Sequence, residues 1–424
     1  MSEASLSTTG CELPPRLRQA ILQARKSSEA PMAAFFYDLD ALAHHADEMY
    51  AALPEGVELY YAIKANSETP VLETLASRVD GFELSSGGEL SRAASCATPR
   101  PWLLSGPGKL DSELEEAIKR GVSAIHLESL NEIDRLAVLA RRLDQVQPVF
   151  VRINPALPEA YATRLNMAGR ATPFGIDESE LPEAIMRIEA CDHLVLKGFH
   201  IHAMSHQADS TRHAALIAHY LERWPVWRAL ARYPERLTHL NVGGGLGVDY
   251  VHGRHFDWPA LCTEVATLRN AMTAPPVVRF EVGRFLSAFC GYYVMEVLDR
   301  KTSHGEHFLI CRGGTHQFRL PPAQGHDHPV LHLPRQVPPT DEAGRRWSVV
   351  GQLCTPKDVL SRGRELGGVS VGDLLVLPLA GAYGYNISHA DFLCHPRPRL
   401  HFLPVESTGP VNERSLAAVS EAGP

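Results

Sequence analysis

Short apolar runs return at a nearly even spacing through the first two thirds of the chain, at residues 59–63, 81–84, 102–104, 124–127, 149–153, 196–201, 237–242 and 277–282. Stretches of helical period separate most of them, at 111–120, 130–143, 180–190, 210–230 and 258–272. A run too short for a helix, followed by a helical stretch, marks a parallel βα unit, because a strand buried on both faces reads as continuous hydrophobicity. Eight such units predict an α/β fold built as a closed (β/α)8 barrel; an open doubly wound sheet is the alternative the pattern leaves.

After about residue 286 the helical period fades, and short strand-like runs appear at 292–297, 307–311, 346–350 and 374–378 among Gly, Pro and His. This predicts a C-terminal all-β domain, a sandwich or barrel, which also suits a chain of 424 residues that is too long for one ordinary core. The expected boundaries are 1–34 for an N-terminal segment partly packed on the β-domain, 35–285 for the barrel, 286–404 for the β-domain and 405–424 for a disordered tail. The Pro- and His-rich stretch 321–339 reads as a loop.

A net charge of −8 argues against nucleic acid or an anionic membrane as a partner. The chain lacks the run of about 20 apolar residues that spans a bilayer, and its N-terminus does not read as a signal peptide. Its eight cysteines never form a CxxC pair, which fits a reducing compartment. A cytoplasmic protein is expected.

In a parallel barrel, reactive groups gather where strands end and βα loops begin. The first run closes with Tyr61-Ala62-Ile63-Lys64-Ala65-Asn66. A lysine at the tip of an apolar strand faces a desolvated mouth, where its ammonium is destabilised and its amine becomes a usable nucleophile. On position alone, a surface lysine just past the strand is the simpler reading. The sixth run continues as Phe199-His200-Ile201-His202-Ala203-Met204-Ser205-His206, and alternation puts His200 and His202 on one face. No carboxylate or cysteine at ligand spacing completes a metal set there, so a packed or stacking histidine is favoured and no metal is expected.

The seventh run ends in Asn241-Val242-Gly243-Gly244-Gly245-Leu246-Gly247. Adjacent glycines let bare N–H groups crowd around an anion, commonly a phosphate, although any tight turn can use such a run. It is not the dinucleotide fingerprint, which opens the first βα turn. The eighth run ends in Arg279-Phe280-Glu281-Val282-Gly283-Arg284. A carboxylate and a guanidinium beside a glycine cradle suit a ligand with both a basic nitrogen and a phosphate, or form a structural ion pair.

With lysine, histidine, triple glycine and Glu-x-Gly-Arg in that order on strands one, six, seven and eight, the chain resembles the pyridoxal-phosphate-dependent decarboxylases of the alanine-racemase-like fold. Diaminopimelate, ornithine and arginine decarboxylases belong to that group. The resemblance spans roughly residues 35–400, and Tyr-Ala-Ile-Lys-Ala-Asn is its most specific element. Two β-domain segments match as well, Gly351-Gln352-Leu353-Cys354-Thr355-Pro356-Lys357-Asp358 and Gly381-Ala382-Tyr383-Gly384-Tyr385.

The resemblance implies an amino-acid carboxy-lyase that uses pyridoxal 5′-phosphate. Lys64 would carry the cofactor as a Schiff base, and His202 would stack on its ring. Ser205, Gly243, Gly244, Gly245, Gly283 and Arg284 would hold the phosphate, with the Tyr383 hydroxyl, and Glu281 would pair with the ring nitrogen. A carboxylate there keeps the ring a strong electron sink, whereas racemases of this fold place an arginine, so decarboxylation of an L-amino acid is expected. Cys354 is implied as the acid that reprotonates Cα, from a loop reaching the other subunit's active site, hence a homodimer. Arg284, Cys354, Asp358 and Arg319 are the implied substrate contacts.

Departures from the family pattern bear on the substrate. Thr355-Pro356 replaces a Glu-Ser pair whose glutamate binds the distal amine of diaminopimelate. His202-Ala203-Met204-Ser205 replaces His-Ile-Gly-Ser, Asn241 and Glu83 stand where aspartates are usual, Thr172-Pro173-Phe174-Gly175 replaces Ser-Lys-Phe-Gly, and Arg312-Gly313-Gly314-Thr315-His316 replaces Asp-Gly-Gly-Met-Asn. Together they resemble the branch serving siderophore assembly, which acts on a diamino acid or its citrate conjugate. The alternatives are a diaminopimelate or other basic amino-acid decarboxylase, an amino-acid racemase, a non-catalytic pyridoxal-phosphate-binding protein, and a metal hydrolase built on His200 and His202.

Overall fold

The computed structural model describes residues 13–157, 168–251, 255–335 and 344–405. The expected tail, apart from residue 405, lies outside them, as do residues 1–12 of the N-terminal segment and 336–339 of the Pro/His stretch. The described chain divides into two compact units, one of residues 42–249 and 255–287, the other of residues 13–41, 250–251 and 288–405.

The first helix, α1 (Pro15–Lys26), and the first strand, β1 (Ala33–Asp38), belong to the second unit. After α2 (Leu39–Ala51) the barrel strands follow: β2 (Val57–Ala62), β3 (Gly81–Leu84), β4 (Trp102–Leu104), β5 (Ala124–Leu127) and β6 (Gln147–Asn154). A two-residue strand, β7 (Ile176–Asp177), pairs only with the end of β6, and the barrel continues with β8 (Leu194–His200), β9 (His239–Gly243) and β10 (Val277–Val282). The eight barrel strands are parallel throughout, and β10 pairs back onto β2, so the sheet closes. The closed barrel is the expected α/β architecture, and the open sheet is set aside.

Helices α3 (Thr69–Ala76), α4 (Gly87–Ala94), α5 (Asp111–Lys119), α6 (Leu130–Leu143), α7 (Leu181–Glu189), α8 (Ser210–Arg228) and α9 (Trp258–Asn270) make the return connections. Several start on side chains that supply the acceptor a first turn lacks. Ser86 accepts from the Glu89 N–H, Ser129 from that of Glu132, and Asp209 from those of Thr211 and Arg212. Outside the barrel, Trp224 and Trp227 on α8 meet Phe199 edge-on at 5.9 and 6.0 Å, and Trp258 on α9 meets Phe280 at 5.1 Å. Such aromatic contacts fix each helix against its strand.

After the one-turn α10 (Arg284–Ser287), the second unit continues with β11 (Gly291–Ser303), β12 (Glu306–Cys311), α11 (Leu320–Gln324), β13 (Leu331–Leu333), β14 (Arg346–Val350), β15 (Val359–Glu365), β16 (Leu374–Leu377) and β17 (Arg399–Leu403). Its sheet runs β13-β16-β11-β12-β14-β15, with β1 antiparallel to β11 and parallel to β17. Two expectations are corrected here. The Pro/His stretch is not a bare loop, since α11 and β13 form within it: prolines at Pro321 and Pro322 sit in the first turn of α11, where a missing N–H costs nothing. Residues 35–41 go with the second unit because β1 finds its partners there. Beneath β1, Leu17 and Ile21 of α1 join Met32, Ala34, Phe36, Val294, Leu374 and Val376 in one apolar cluster. No helix among the described residues is long and apolar enough to cross a membrane.

Buried titratable groups couple this fold to pH. His213 on α8 is 3 % exposed, its Nδ1 lacks a partner, and burial lowers its pKa from 6.5 to about 4. The unfolded chain therefore binds a proton that the folded chain refuses between pH 6.5 and 4, so stability falls as pH drops through that window. The loss at this residue is on the order of 3 kcal/mol. His213→Leu is expected to flatten this part of the profile, read as the difference in unfolding midpoint between wild type and variant at pH 7 and pH 4.

Candidate active site

The barrel interior is filled in layers. Toward the strand N-termini, Arg279 is buried with its Nε 2.6 Å from Glu58, its guanidinium 4.4 Å above the Tyr60 ring and 5.5 Å from that of Phe150. The Glu58 carboxyl is held down to about 2: burial opposes the charge, and the Arg279 cation overcomes it. This layer is closed upon itself.

Two residues further along β10, on the same face, the next layer is polar and less complete. Glu281 accepts from Asn241 Nδ2 at 2.7 Å, and its carboxyl lies 3.4 Å from His200 Nε2 and 3.7 Å from His126 Nδ1. The His126 and His200 rings are 4.3 Å apart, and His126 Nδ1 pairs with the Ser105 hydroxyl at 2.8 Å. Burial drives both imidazole pKa values well below 6.5; His126 is further lowered by its neighbour His200, and His200 by Arg152 and Lys64. Neither ring is a cation at neutral pH, so no histidine neutralises the Glu281 carboxyl. His126 Nε2 and both ring nitrogens of His200 are buried without a hydrogen-bond partner. Orphaned polar atoms of this kind mark a place that a further polar group completes.

The strand tips bring the remaining groups together. Lys64 lies in a single 3-10 turn, Ile63–Ala65, directly after β2. Its Nζ donates to Glu83 Oε2 at 2.9 Å, and Glu83 Oε1 accepts from the Ser85 hydroxyl at 3.0 Å. The lysine side chain is 42 % exposed and the Glu83 side chain 1 %, so a fixed carboxylate holds an amine that remains accessible. Gly283 stands beside this turn: a Cβ there would lie 3.0 Å from the Ala65 Cβ and 3.3 Å from the Ala62 carbonyl oxygen.

His202, half-buried, accepts from the Gly244 N–H at Nδ1 (3.1 Å), which fixes the ring and leaves the proton on Nε2. Burial, then the charges of Lys64 and Arg152, lower its pKa well below 6.5. The glycine run must be glycine. Gly245 has φ +88°, and a Cβ on Gly244 would stand 2.0 Å from the Glu281 carbonyl oxygen. Ser205 is half-buried alongside, its Cα 3.7 Å from where a Gly245 Cβ would be. Arg284 opens α10, close enough to His206 to add to the lowering that burial imposes on that imidazole.

In the second unit, Cys354 is exposed in the turn between β14 and β15. Tyr383 holds a left-handed backbone at φ +51°, and Arg319 is exposed at the start of α11. Asp358 requires a correction. Its carboxylate, expected to meet substrate, is buried and accepts from the Thr315 N–H at 2.7 Å and the Leu353 N–H at 2.8 Å. It closes the turn that carries Cys354 and is a positioning residue.

The sequence reading missed His126, Ser105 and the pair Arg152–Glu128, whose Nη1 lies 2.9 Å from both carboxylate oxygens while the guanidinium stacks 4.8 Å from Phe174. The carboxylate absent from the local spacing around His200 and His202 comes from Glu281 on another strand. His126, His200 and Glu281 form the group with metal-ligand proximity among the described residues, and His202 is not part of it. The available signal was a polar residue inside an otherwise apolar run, as at His126 in 124–127.

Pyridoxal phosphate needs an amine, a flat partner for its ring, an acid opposite the ring nitrogen and bare backbone donors for its phosphate. Lys64, His202, Glu281 and a glycine cradle that any Cβ would fill fit that demand.

Residues 39–288 match the family model for the pyridoxal binding domain of pyridoxal-dependent decarboxylases. The chain is 40 % identical over 395 residues to the 2-[(L-alanin-3-ylcarbamoyl)methyl]-2-hydroxybutanedioate decarboxylase of Staphylococcus aureus, covering 92 % of this chain and 98 % of that protein. It is 29 % identical over 384 residues to the L-glutamyl-[BtrI acyl-carrier protein] decarboxylase of Niallia circulans, covering 88 % of each. Among solved structures, the diaminopimelate decarboxylase of Helicobacter pylori complexed with L-lysine aligns with a TM-score of 0.80 at 22 % identity, over 95 % of this chain and 99 % of that one, a likeness of fold.

Gly244→Ala is expected to push the β9 tip away from β10. It should raise the dissociation constant for pyridoxal phosphate roughly a hundredfold, the loss of about 3 kcal/mol of backbone contact. Titrating the apoprotein with cofactor and following its visible absorbance measures this.

Proposed function

Since the chain belongs to the pyridoxal-dependent decarboxylases, we propose that it removes the α-carboxyl group of an L-diamino acid whose side-chain nitrogen is already joined to a citrate-like hydroxy acid, a step in siderophore assembly. One observation carries the reaction class: the buried Glu281 carboxyl among imidazoles that stay neutral, on the strand next to the one tipped by Lys64. For the substrate, the support is the extent of the match to the staphylococcal enzyme, whose name describes such a conjugate, together with Thr355-Pro356 in place of a glutamate that would greet a distal amine.

When bound, pyridoxal 5′-phosphate supplies the electron sink for the pair left at Cα as carbon dioxide departs. The chain's own residues do the rest. Lys64 Nζ would hold the cofactor covalently, with Glu83 keeping that amine in place through its 2.9 Å contact. Glu281 would accept a charge-assisted hydrogen bond from the cofactor's ring nitrogen, which an arginine could not. His202, pinned by Gly244, presents its flat face. Gly243, Gly244, Gly245, Gly283, Ser205 and Arg284 receive the phosphate, joined by the Tyr383 hydroxyl. Arg319, exposed at the start of α11, would offer its guanidinium to a carboxylate of the conjugate.

The Cys354 thiol delivers the proton that replaces the carboxyl group. On this reading it serves the partner's barrel, so the working form is a homodimer; the exposure of Cys354 on its turn supports that role. We place the reaction in the cytoplasm on the sequence reading alone, in which eight scattered cysteines without a CxxC pair suit a reducing compartment.

Holoenzyme is expected to release carbon dioxide from the citryl amide of L-2,3-diaminopropionate with a kcat/KM roughly a hundredfold above that for meso-diaminopimelate, lysine or ornithine, the scale of discrimination by a polar subsite. Lys64→Ala should lose both the visible absorbance and the gas. Equal turnover of diaminopimelate would overturn the substrate assignment. In a second test, mixing the inactive Lys64→Ala and Cys354→Ala chains should restore about a quarter of wild-type activity, because half the dimers then carry one intact site. No recovery would place the thiol in its own chain's site.

A further inference from the structure

The second unit holds a pocket that the proposed reaction leaves unused. It lies between the start of β1 and the start of β17, has a volume of about 180 Å³, and is lined by Arg25, Ser28, Arg312, Arg397, Arg399 and His401. None of these residues is assigned to cofactor or substrate above. We propose that this pocket binds a small multivalent oxyanion, a polycarboxylate of citrate size or a phosphate.

The charges are unbalanced. Arg25 is matched by Glu296, with Nε 2.6 Å from a carboxylate that is only 6 % exposed. Arg397 reaches Asp391 at 3.0 Å, but both side chains stand in solvent, where such a pair is screened and weak. The other two guanidinium groups have neutral acceptors. Arg312 donates to the Gln352 side-chain oxygen at 2.8 Å, and Arg399 to the Ser28 hydroxyl at 2.9 Å. Four cations therefore share one small concavity with one firmly held carboxylate, a concentration of guanidinium that attracts an anion.

A second observation points the same way. The His401 ring is stacked on Phe36, 4.5 Å between centroids and 12° from parallel, so its orientation is fixed. Its Nε2 is buried without a partner. Burial and the Arg399 charge lower its pKa, so the ring is a neutral donor or acceptor at physiological pH. An orphaned nitrogen costs free energy that a bound oxygen would recover. Guanidinium forks and a ring N–H match the oxygens of a carboxylate or phosphate in geometry and sign. The volume falls below the roughly 300 Å³ at which drug-sized ligands begin, which selects a compact ion.

Isothermal titration of holoenzyme at fixed ionic strength, with citrate in one arm and inorganic phosphate in the other, tests this. At least one ion should bind saturably, one per chain, and the arm that responds identifies the source. Arg399→Gln and Arg312→Gln should each weaken that binding tenfold or more, about 1.4 kcal/mol, while Arg319→Gln leaves it unchanged; Arg399 is exposed, so its variant keeps the fold. Absence of saturable heat with both ions overturns the proposal, as does binding that survives Arg399→Gln and Arg312→Gln or disappears with Arg319→Gln. Turnover of the conjugate is untouched by either result, so this site and the reaction stand or fall separately.

Discussion

One pairing governs the barrel. β10 lies against β2, the last strand beside the first, so the sheet has no edge and its interior becomes a closed space the chain must fill. The same register sets Glu281 opposite Tyr60 and Val282 opposite Tyr61, and so brings Gly283 against the turn that carries Lys64. Arg279 and Glu281, two apart on one strand, end in opposite states. The arginine is locked to Glu58 and covered by aromatic rings; the glutamate has one amide donor and two neutral imidazoles. A barrel needing only stability would close both layers as it closed the first. The open layer leaves His126 Nε2 and both ring nitrogens of His200 buried without a hydrogen-bond partner.

Much of the architecture was legible because a parallel strand covered on both faces must be apolar along its length. All eight barrel runs were visible for that reason, with boundaries off by a few residues where polar groups enter, as at His239 in β9. β1 was hidden: no strand was expected at Ala33–Asp38, and nothing local reveals that its partners, β11 and β17, lie more than 250 residues away in sequence. α11 was masked by the prolines that begin it.

The site divides along the same line. Lys64, His202, the glycine run and Glu281 announce themselves because each sits at a strand tip in a short motif. What surrounds them comes from other strands. Asn241 looked like a departure from the family pattern; in the structure it donates to Glu281 and accepts from the Gly243 N–H, tying the acid to the glycine cradle. Asp358 shows the reverse error. A charged residue in a matched motif was read as a ligand contact, although Gly314 and Gly351, where any Cβ would fall within 3 Å of its carboxylate, mark it as the centre of a turn.

Glu83 bears on how the reaction is poised. A glutamate is one methylene longer than the aspartate the family resemblance led one to expect here, and its two oxygens meet Lys64 at 2.9 Å and Ser85 at 3.0 Å. A carboxylate 1 % exposed, held from its other side by Ser85, fixes the position of an amine that stays accessible. In a chain of net charge −8 the overall field does not attract an anion, and beyond a Debye length of about 8 Å it is screened, so an anion at the barrel mouth depends on local groups such as Arg284 and the bare N–H groups of the glycine run.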